Sequence, residues 1–243
     1  MTNYADLKTI APNGNTVILT SLASRADAIL VVDYLINTPL RLAHFWAQAA
    51  EESDGFKTMQ EYASGAGYEG RADLGNTQPG DGVRYKGRGI FQLTGRANYR
   101  RLGKVLGLDL EGNPEFAAIP ENVLKIAGEY WREHNLNAAA DANDIRTITH
   151  KINGGYNGLA SRKAYFTRAW GVFGGRNSAP DSPQTKVAKK AGGAIVIAIG
   201  AGASHIANAA PSLPHWLLPA VAVGGVGVGA WFLFQHFTKG GQP

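Results

Sequence analysis

The 243-residue chain has no cysteine. A disulfide framework, a thiolate zinc site and a cysteine nucleophile are excluded together, and the fold has to stand on its core alone. Charge is also scarce, at 18% of residues against 44% hydrophobic, which suits a packed core and argues against a disordered chain. Residues 1–17, MTNYADLKTIAPNGNTV, lack the basic and then apolar stretch of a secretory signal, so none is expected. No internal repeat is present. His44, His134 and His150 lack metal-ligand spacing, and neither a metal nor a cofactor is expected.

What excess charge there is lies in one place. A net charge of +5 and a pI near 9.4 ordinarily point to nucleic acid or an anionic surface. Four of those five charges come from Arg176 onward, where Arg176, Lys186, Lys189, Lys190 and Lys239 face a single acid, Asp181. The first 175 residues are nearly neutral, which removes support for a nucleic-acid partner.

The chain divides by texture. Residues 1–173 read as one domain, with a mainly helical pattern from about residue 17. Thr38-Pro39 is an N-cap followed by proline at the first helical position, opening a helix through Leu42, Phe45, Trp46 and Ala49. Ile119-Pro120-Glu121 opens another, and residues 141–152 and 161–172 are further candidates. Between residues 65 and 95 glycine recurs and short apolar pieces alternate with polar ones. That predicts loops around a small β-hairpin, residues 83–85 with 90–93. Residues 174–190 are rich in Gly, Ser, Pro and Lys and read as a linker.

Residues 191–238 contain no Asp, Glu, Lys or Arg, and a short polar tail, 239–243, follows. Within this run, residues 215–237 are long enough to span a bilayer, which takes roughly 20 apolar residues. Trp216 and Trp231 stand near the two ends like an aromatic belt. One transmembrane helix or a helical hairpin turning at residues 211–214 is expected, with a lipid bilayer as partner. Gly225 and Gly229 form a G-x-x-x-G pair suited to self-association through the tail. The alternative is a soluble apolar hairpin docked on the domain.

Glu51 and Glu52 close the helix that starts after Thr38, and Glu61 follows nine residues after Glu52. A carboxylate at a helix C-terminus faces the negative end of the dipole, which favours its protonated form. Hydrolysis of a glycosidic bond needs such a proton donor and a second carboxylate to activate water or attack carbon. Surface glutamates end many helices, however, and spacing alone leaves both readings open. Gln and Asn side chains nearby both donate and accept, as sugar hydroxyls and N-acetyl groups require. Tyr68, Tyr85 and Tyr99 offer flat apolar faces with a polar tip.

Four motifs, in order, carry a resemblance: E-S-D-G-F at 52–56, Y-E-G-R-A-D-L-G-N-T at 68–77, G-R-G-I-F-Q-L-T-G-R-A-N-Y at 87–99 and I-N-G-G at 152–155. The stretch from about residue 44 to 168 resembles the family 19 glycoside hydrolases, a chitinase-like group that includes many phage endolysins. The resemblance implies a lysozyme-like fold of two helical lobes around a cleft and an inverting mechanism without a covalent sugar intermediate. It makes Glu52 the general acid, Glu61 the general base and Thr94 the hydroxyl that helps hold the attacking water. Gln92, Asn98 and Asn153 match sugar-binding amides, with Tyr68 and Tyr99 beside them, and Arg162 matches a basic residue that tunes the acidic centre. One departure stands out: the family usually has His before the acid, where this chain has Glu51. Glu51 and Glu69 are thus possible additional acids, though Glu51 could simply face solvent and Glu69 could pair with Arg71 or Arg88.

The implied partner is a β-1,4-linked N-acetylated glycan, peptidoglycan in cell-wall lysis or else chitin. The phage-type wording of residues 68–99 favours peptidoglycan. The implied location is the host's inner membrane, or its cytoplasm before lysis. Two rivals belong to another class: an inactive wall-binding protein held in the membrane, and a holin-like tail with the enzyme as cargo.

Overall fold

A computed structural model of the protein describes residues 1–176. The expected linker, apart from its first three residues, and the apolar tail lie outside the described residues. Helices α1 (Tyr4–Ile10), α2 (Thr16–Ala26), α3 (Pro39–Glu52) and α4 (Asp81–Arg84) are followed by α5 (Arg96–Leu106) and α6 (Pro120–Glu133). Then come α7 (Leu136–Asp141), α8 (Ile145–Asn153) and α9 (Leu159–Phe173). No described helix is long and apolar enough to cross a membrane.

Helix α3 is the axis of the fold. Thr38 caps it by accepting from the Arg41 N–H at 3.2 Å, with Pro39 in its first turn. Every residue from 42 to 50 is buried, which marks a helix enclosed on all sides rather than one lying on a surface. Phe45 meets Trp46, Phe91 and Trp131 edge to face, at centroid distances of 5.2, 5.9 and 5.3 Å. Helix α9 runs against α3, α1 packs on both, and α2 packs on α6. A smaller apolar cluster of Tyr85, Tyr99, Leu102, Leu110, Ala117 and Ile126 lies beneath the glycine-rich segment.

Two expectations need correction. The hairpin is not formed. Residues 83 and 84 finish α4, and pairing is reduced to isolated bridges, Gln60 with Arg88 and Arg88 with Leu93. The reason is local: Gln92 sits at φ 51°, which breaks the extended backbone, and Ile90 and Phe91 are both buried, unlike the one-sided alternation of a half-exposed hairpin. Arg88 and Leu93 exchange backbone bonds at 3.1 and 2.8 Å and close a tight loop instead. The helix expected over 141–152 starts only at Ile145, as α8, because Asn143 takes φ 52° and Asp144 caps α8 by accepting from Thr147 N–H at 3.0 Å. The sequence reading also missed α1. There Asn3 and Asp6 cap each other, Asn3 accepting from Asp6 N–H at 3.1 Å and Asp6 from Asn3 N–H at 2.8 Å.

Candidate active site

The first motif is a helix stop that turns the chain back on itself. Ser53 donates to the Ala49 carbonyl at 2.6 Å and accepts from Phe56 N–H at 3.1 Å. Asp54, Gly55 and Phe56 take left-handed φ values of 51, 66 and 60°. Phe56 is thereby driven into the core against Trp46, with ring centroids 5.9 Å apart. The buried ring repays the strained turn, and the chain beyond it returns Glu61 to the same cleft as Glu52. That cleft, of about 520 Å³, is lined by Glu52, Asp54, Glu61, Tyr62, Tyr68 and Gln92 among others.

Glu61 is held by two donors. Gly87 N–H reaches one carboxylate oxygen at 3.0 Å and the Tyr68 hydroxyl reaches the other at 2.8 Å. Only an acceptor can take both bonds, which suits a carboxylate in its base form. Gly87 is also the point where three side chains converge. A Cβ there would lie 2.7 Å from Gln92 Oε1, 3.3 Å from Thr94 Oγ1 and 3.4 Å from the Glu61 carboxyl carbon. Thr94 donates its hydroxyl proton to the Gln92 carbonyl at 3.0 Å, which aims the lone pairs of Oγ1 elsewhere. Gln92 donates to the Gly89 carbonyl at 2.9 Å, while its buried Oε1 has no protein partner. A buried amide oxygen left unpaired on a strained backbone is a feature of ligand sites more than of cores.

Glu52 meets Arg162 across the α3–α9 contact, Nη2 to Oε1 at 2.5 Å, and both side chains are buried. Arg162 is itself fixed by Gln48 Oε1 at 2.5 Å and the Asn157 carbonyl at 3.3 Å. The expectation drawn from the helix dipole alone was incomplete, since a full positive charge lies directly against the Glu52 carboxylate. Burial raises the Tyr130 phenol, and the nearby Glu52 charge raises it further.

Glu52, Glu61, Tyr68 and Gln92 therefore share one cleft, with Thr94 beside Glu61 and Arg162 behind Glu52. Others of the predicted set support the site from outside the cleft lining. Asn98 donates to the Thr94 carbonyl at 2.8 Å, and Asn153 accepts from Asn157 N–H at 3.1 Å. Tyr99 is fully buried, bonded to the Lys86 carbonyl and Arg88, and offers no face to a sugar; the Tyr85 ring lies beside it, tilted by 59°. Glu69 pairs with neither Arg71 nor Arg88. Its two oxygens accept from Gly80 and Gly82 N–H at 2.7 and 2.9 Å, which makes it the cap of α4. Glu51, half-buried, turns to α9, where Ser161 donates to it.

Sequence reasoning missed Gln48 and Tyr62. Gln48 was accessible: it precedes Glu52 by four residues and so shares its helix face. Tyr62 exposes an aromatic ring on the cleft wall, held by its hydroxyl bond to Asp54 at 3.1 Å.

No family model matches the chain. A glycosyl hydrolase family 19 domain-containing protein of Haemophilus influenzae is 38% identical over 95 residues, 39% of this chain and 46% of that protein. An acidic 27 kDa endochitinase of Solanum lycopersicum is 33% identical over 138 residues, 47% of this chain and 53% of the relative. The chain thus spans about half the length of these curated relatives. Among solved structures, chitinase C of Streptomyces griseus superimposes with a TM-score of 0.59 at 23% identity, over 73% of this chain and 95% of the other. The fold is that of the family 19 chitinases. A class IV family 19 chitinase of Zea mays matches at TM-score 0.51 and 18% identity, over 73% and 92% of the two chains. Over these partial stretches the chain is similar to glycosyl hydrolase family 19 proteins and chitinases.

Proposed function

We propose that this chain is a glycoside hydrolase that cleaves β-1,4 bonds in an N-acetylated glycan, with peptidoglycan as its physiological polymer. The observation that carries the reading is the pair of carboxylates, Glu52 and Glu61, on one cleft with opposite partners: a buried guanidinium for the first, two neutral donors for the second. Water attacks the anomeric carbon and gives its proton to Glu61, while Glu52 gives its own proton to the departing glycosidic oxygen. Thr94 Oγ1, its hydrogen already committed to Gln92, accepts a hydrogen bond from the second O–H of that water, which stays on the product hydroxyl. Arg162 stabilises the carboxylate that Glu52 becomes, so the ion pair is the state after proton donation; before the next turnover Glu61 loses its proton to solvent and Glu52 takes one up. No covalent intermediate is required, so the product carries the inverted anomeric configuration.

Peptidoglycan is supported by the phage-type wording of residues 68–99. Chitin is the second reading, favoured by the names of the plant relative and of the structural neighbours. For residues 191–238 we propose contact with the host's inner membrane, which would hold the enzyme until lysis; a tail released by alkaline carbonate would overturn that.

Two polymers and one variant test the activity. Purified peptidoglycan should lose turbidity faster than colloidal chitin releases sugar, and the initial product should be the inverted anomer by NMR. Glu52→Gln should fall by about 10²–10⁴-fold while its circular dichroism stays native, because an amide cannot supply the proton. Wild-type turnover by that variant, or no cleavage of either polymer by the parent protein, refutes the reading.

A further inference from the structure

Two consecutive residues at the end of α3 grip two consecutive residues of α9. Glu52 takes Arg162 Nη2 at 2.5 Å, and Glu51 Oε2 takes the hydroxyl of Ser161. The other Glu51 oxygen occupies the space over Gly158, where a Cβ would overlap it, and Gly158 lies at φ 71°. Gly158 is the N-cap residue of α9 and has no side chain to offer the first turn. A carboxylate delivered there from another helix meets the positive end of the α9 dipole. The same charge is felt at Tyr165, one turn further along, whose phenol is raised by burial and then by Glu51.

From this geometry we infer that Glu51 is a positioning residue. By clamping Ser161 and the first turn of α9, it fixes the Arg162 guanidinium against Glu52. Glu51 gives no proton and touches no substrate. Its position explains how this chain dispenses with the histidine usual before the acid: the helix that carries Arg162 is anchored by a carboxylate one residue from the carboxylate that Arg162 serves. The inference rests on the reading of Glu52 as the acid, and its test separates the two.

Glu51→Ala should lower kcat by about tenfold on a soluble glycan fragment of whichever polymer the parent cleaves, with KM little changed, as for a misplaced catalytic group. Glu51→Gln should keep most of the rate, because its amide oxygen still accepts from Ser161. Ser161→Ala should lose a similar factor, and the double variant no more than either single one, the mark of residues acting as a unit. Amide hydrogen exchange at residues 159–162 should be faster in Glu51→Ala than in the parent protein, at a temperature where both are folded. Parental kcat in Glu51→Ala, additive losses in the double variant, or unchanged exchange overturns the inference. If the parent protein cleaves no glycan, the proposed function fails, and the exchange measurement still decides whether the clamp exists.

Discussion

Gly87 illustrates how little side chain a reacting centre needs. Its N–H holds Glu61, and its missing Cβ leaves the gap into which Gln92, Thr94 and Glu61 converge. Gly87→Ala would push first on Gln92 Oε1, the unpaired end of a side chain and the most yielding of the three neighbours. The cost to stability should be modest, about 1 kcal/mol, in line with a small overpacking change. Activity should suffer far more, roughly 10²-fold, because a shift of order 1 Å in the base and its neighbours disturbs the attack geometry. Urea unfolding beside turnover would check the split. A variant that loses stability and activity in proportion would show that Gly87 matters for packing alone.

At the scale of elements, His44 joins α3 to the turn between α7 and α8. Its Nε2 shares a hydrogen bond of 2.9 Å with Asn143 Oδ1, and its ring lies 4.3 Å from Phe166. Burial lowers its affinity for a proton, which outweighs the support of Asn143 and of the Asp144 charge. In the unfolded chain the same ring titrates near 6.5. As pH falls below about 6.5 the unfolded state therefore takes up a proton that the folded state refuses, and stability drops by up to about 1.4 kcal/mol per pH unit; above that pH this group contributes no slope. His44→Gln should flatten the difference in urea midpoint between pH 7 and pH 5, and an unchanged difference would mean the ring is protonated in the native state.

The same scale separates what the sequence disclosed from what it hid. Helices α3 and α6 were legible because each begins with a proline next to its cap position. Glu52 and Thr94 stood out through the motifs and Glu61 through its place in the stretch that resembles the family, and one cleft is lined by both glutamates. The hairpin failed because glycine-rich alternation in composition resembles alternation in a strand, while burial of Ile90 beside Phe91 is decided by tertiary contacts. Glu69 and Glu51 were ambiguous for a related reason. Their partners, two backbone N–H groups and the first turn of α9, carry no side-chain signal that spacing could reveal.

For the whole molecule, the informative contact is at the edge of the described chain. The Arg176 guanidinium meets Asp6 at 2.5 Å, donates to the Met1 carbonyl at 2.7 Å and lies 5.0 Å from the Phe173 ring. Arg176, inside the segment that reads as linker, is thus bonded to the N-terminal residues of the described domain. A protein ending at Arg176 should fold without the tail. Replacing that arginine with alanine should lower its melting temperature by roughly 2–4 °C, the size expected for about 1 kcal/mol in a domain of this length. No shift would show the contact to be one of the many surface ion pairs without measurable weight.

That contact also makes the described chain nearly a ring. Residue 1 and residue 176 are bonded to each other, so the direction in which the ribbon is read is closer to a convention than to a requirement of the packing. A short glycine-serine bridge from residue 176 to residue 1, with the chain reopened at the exposed Pro12-Asn13 turn, would make α1 the last helix translated instead of the first. Such a permutant should keep the parental circular dichroism spectrum and glycan turnover. Its failure to fold would mean that α1 must be in place before α3 and α9 close.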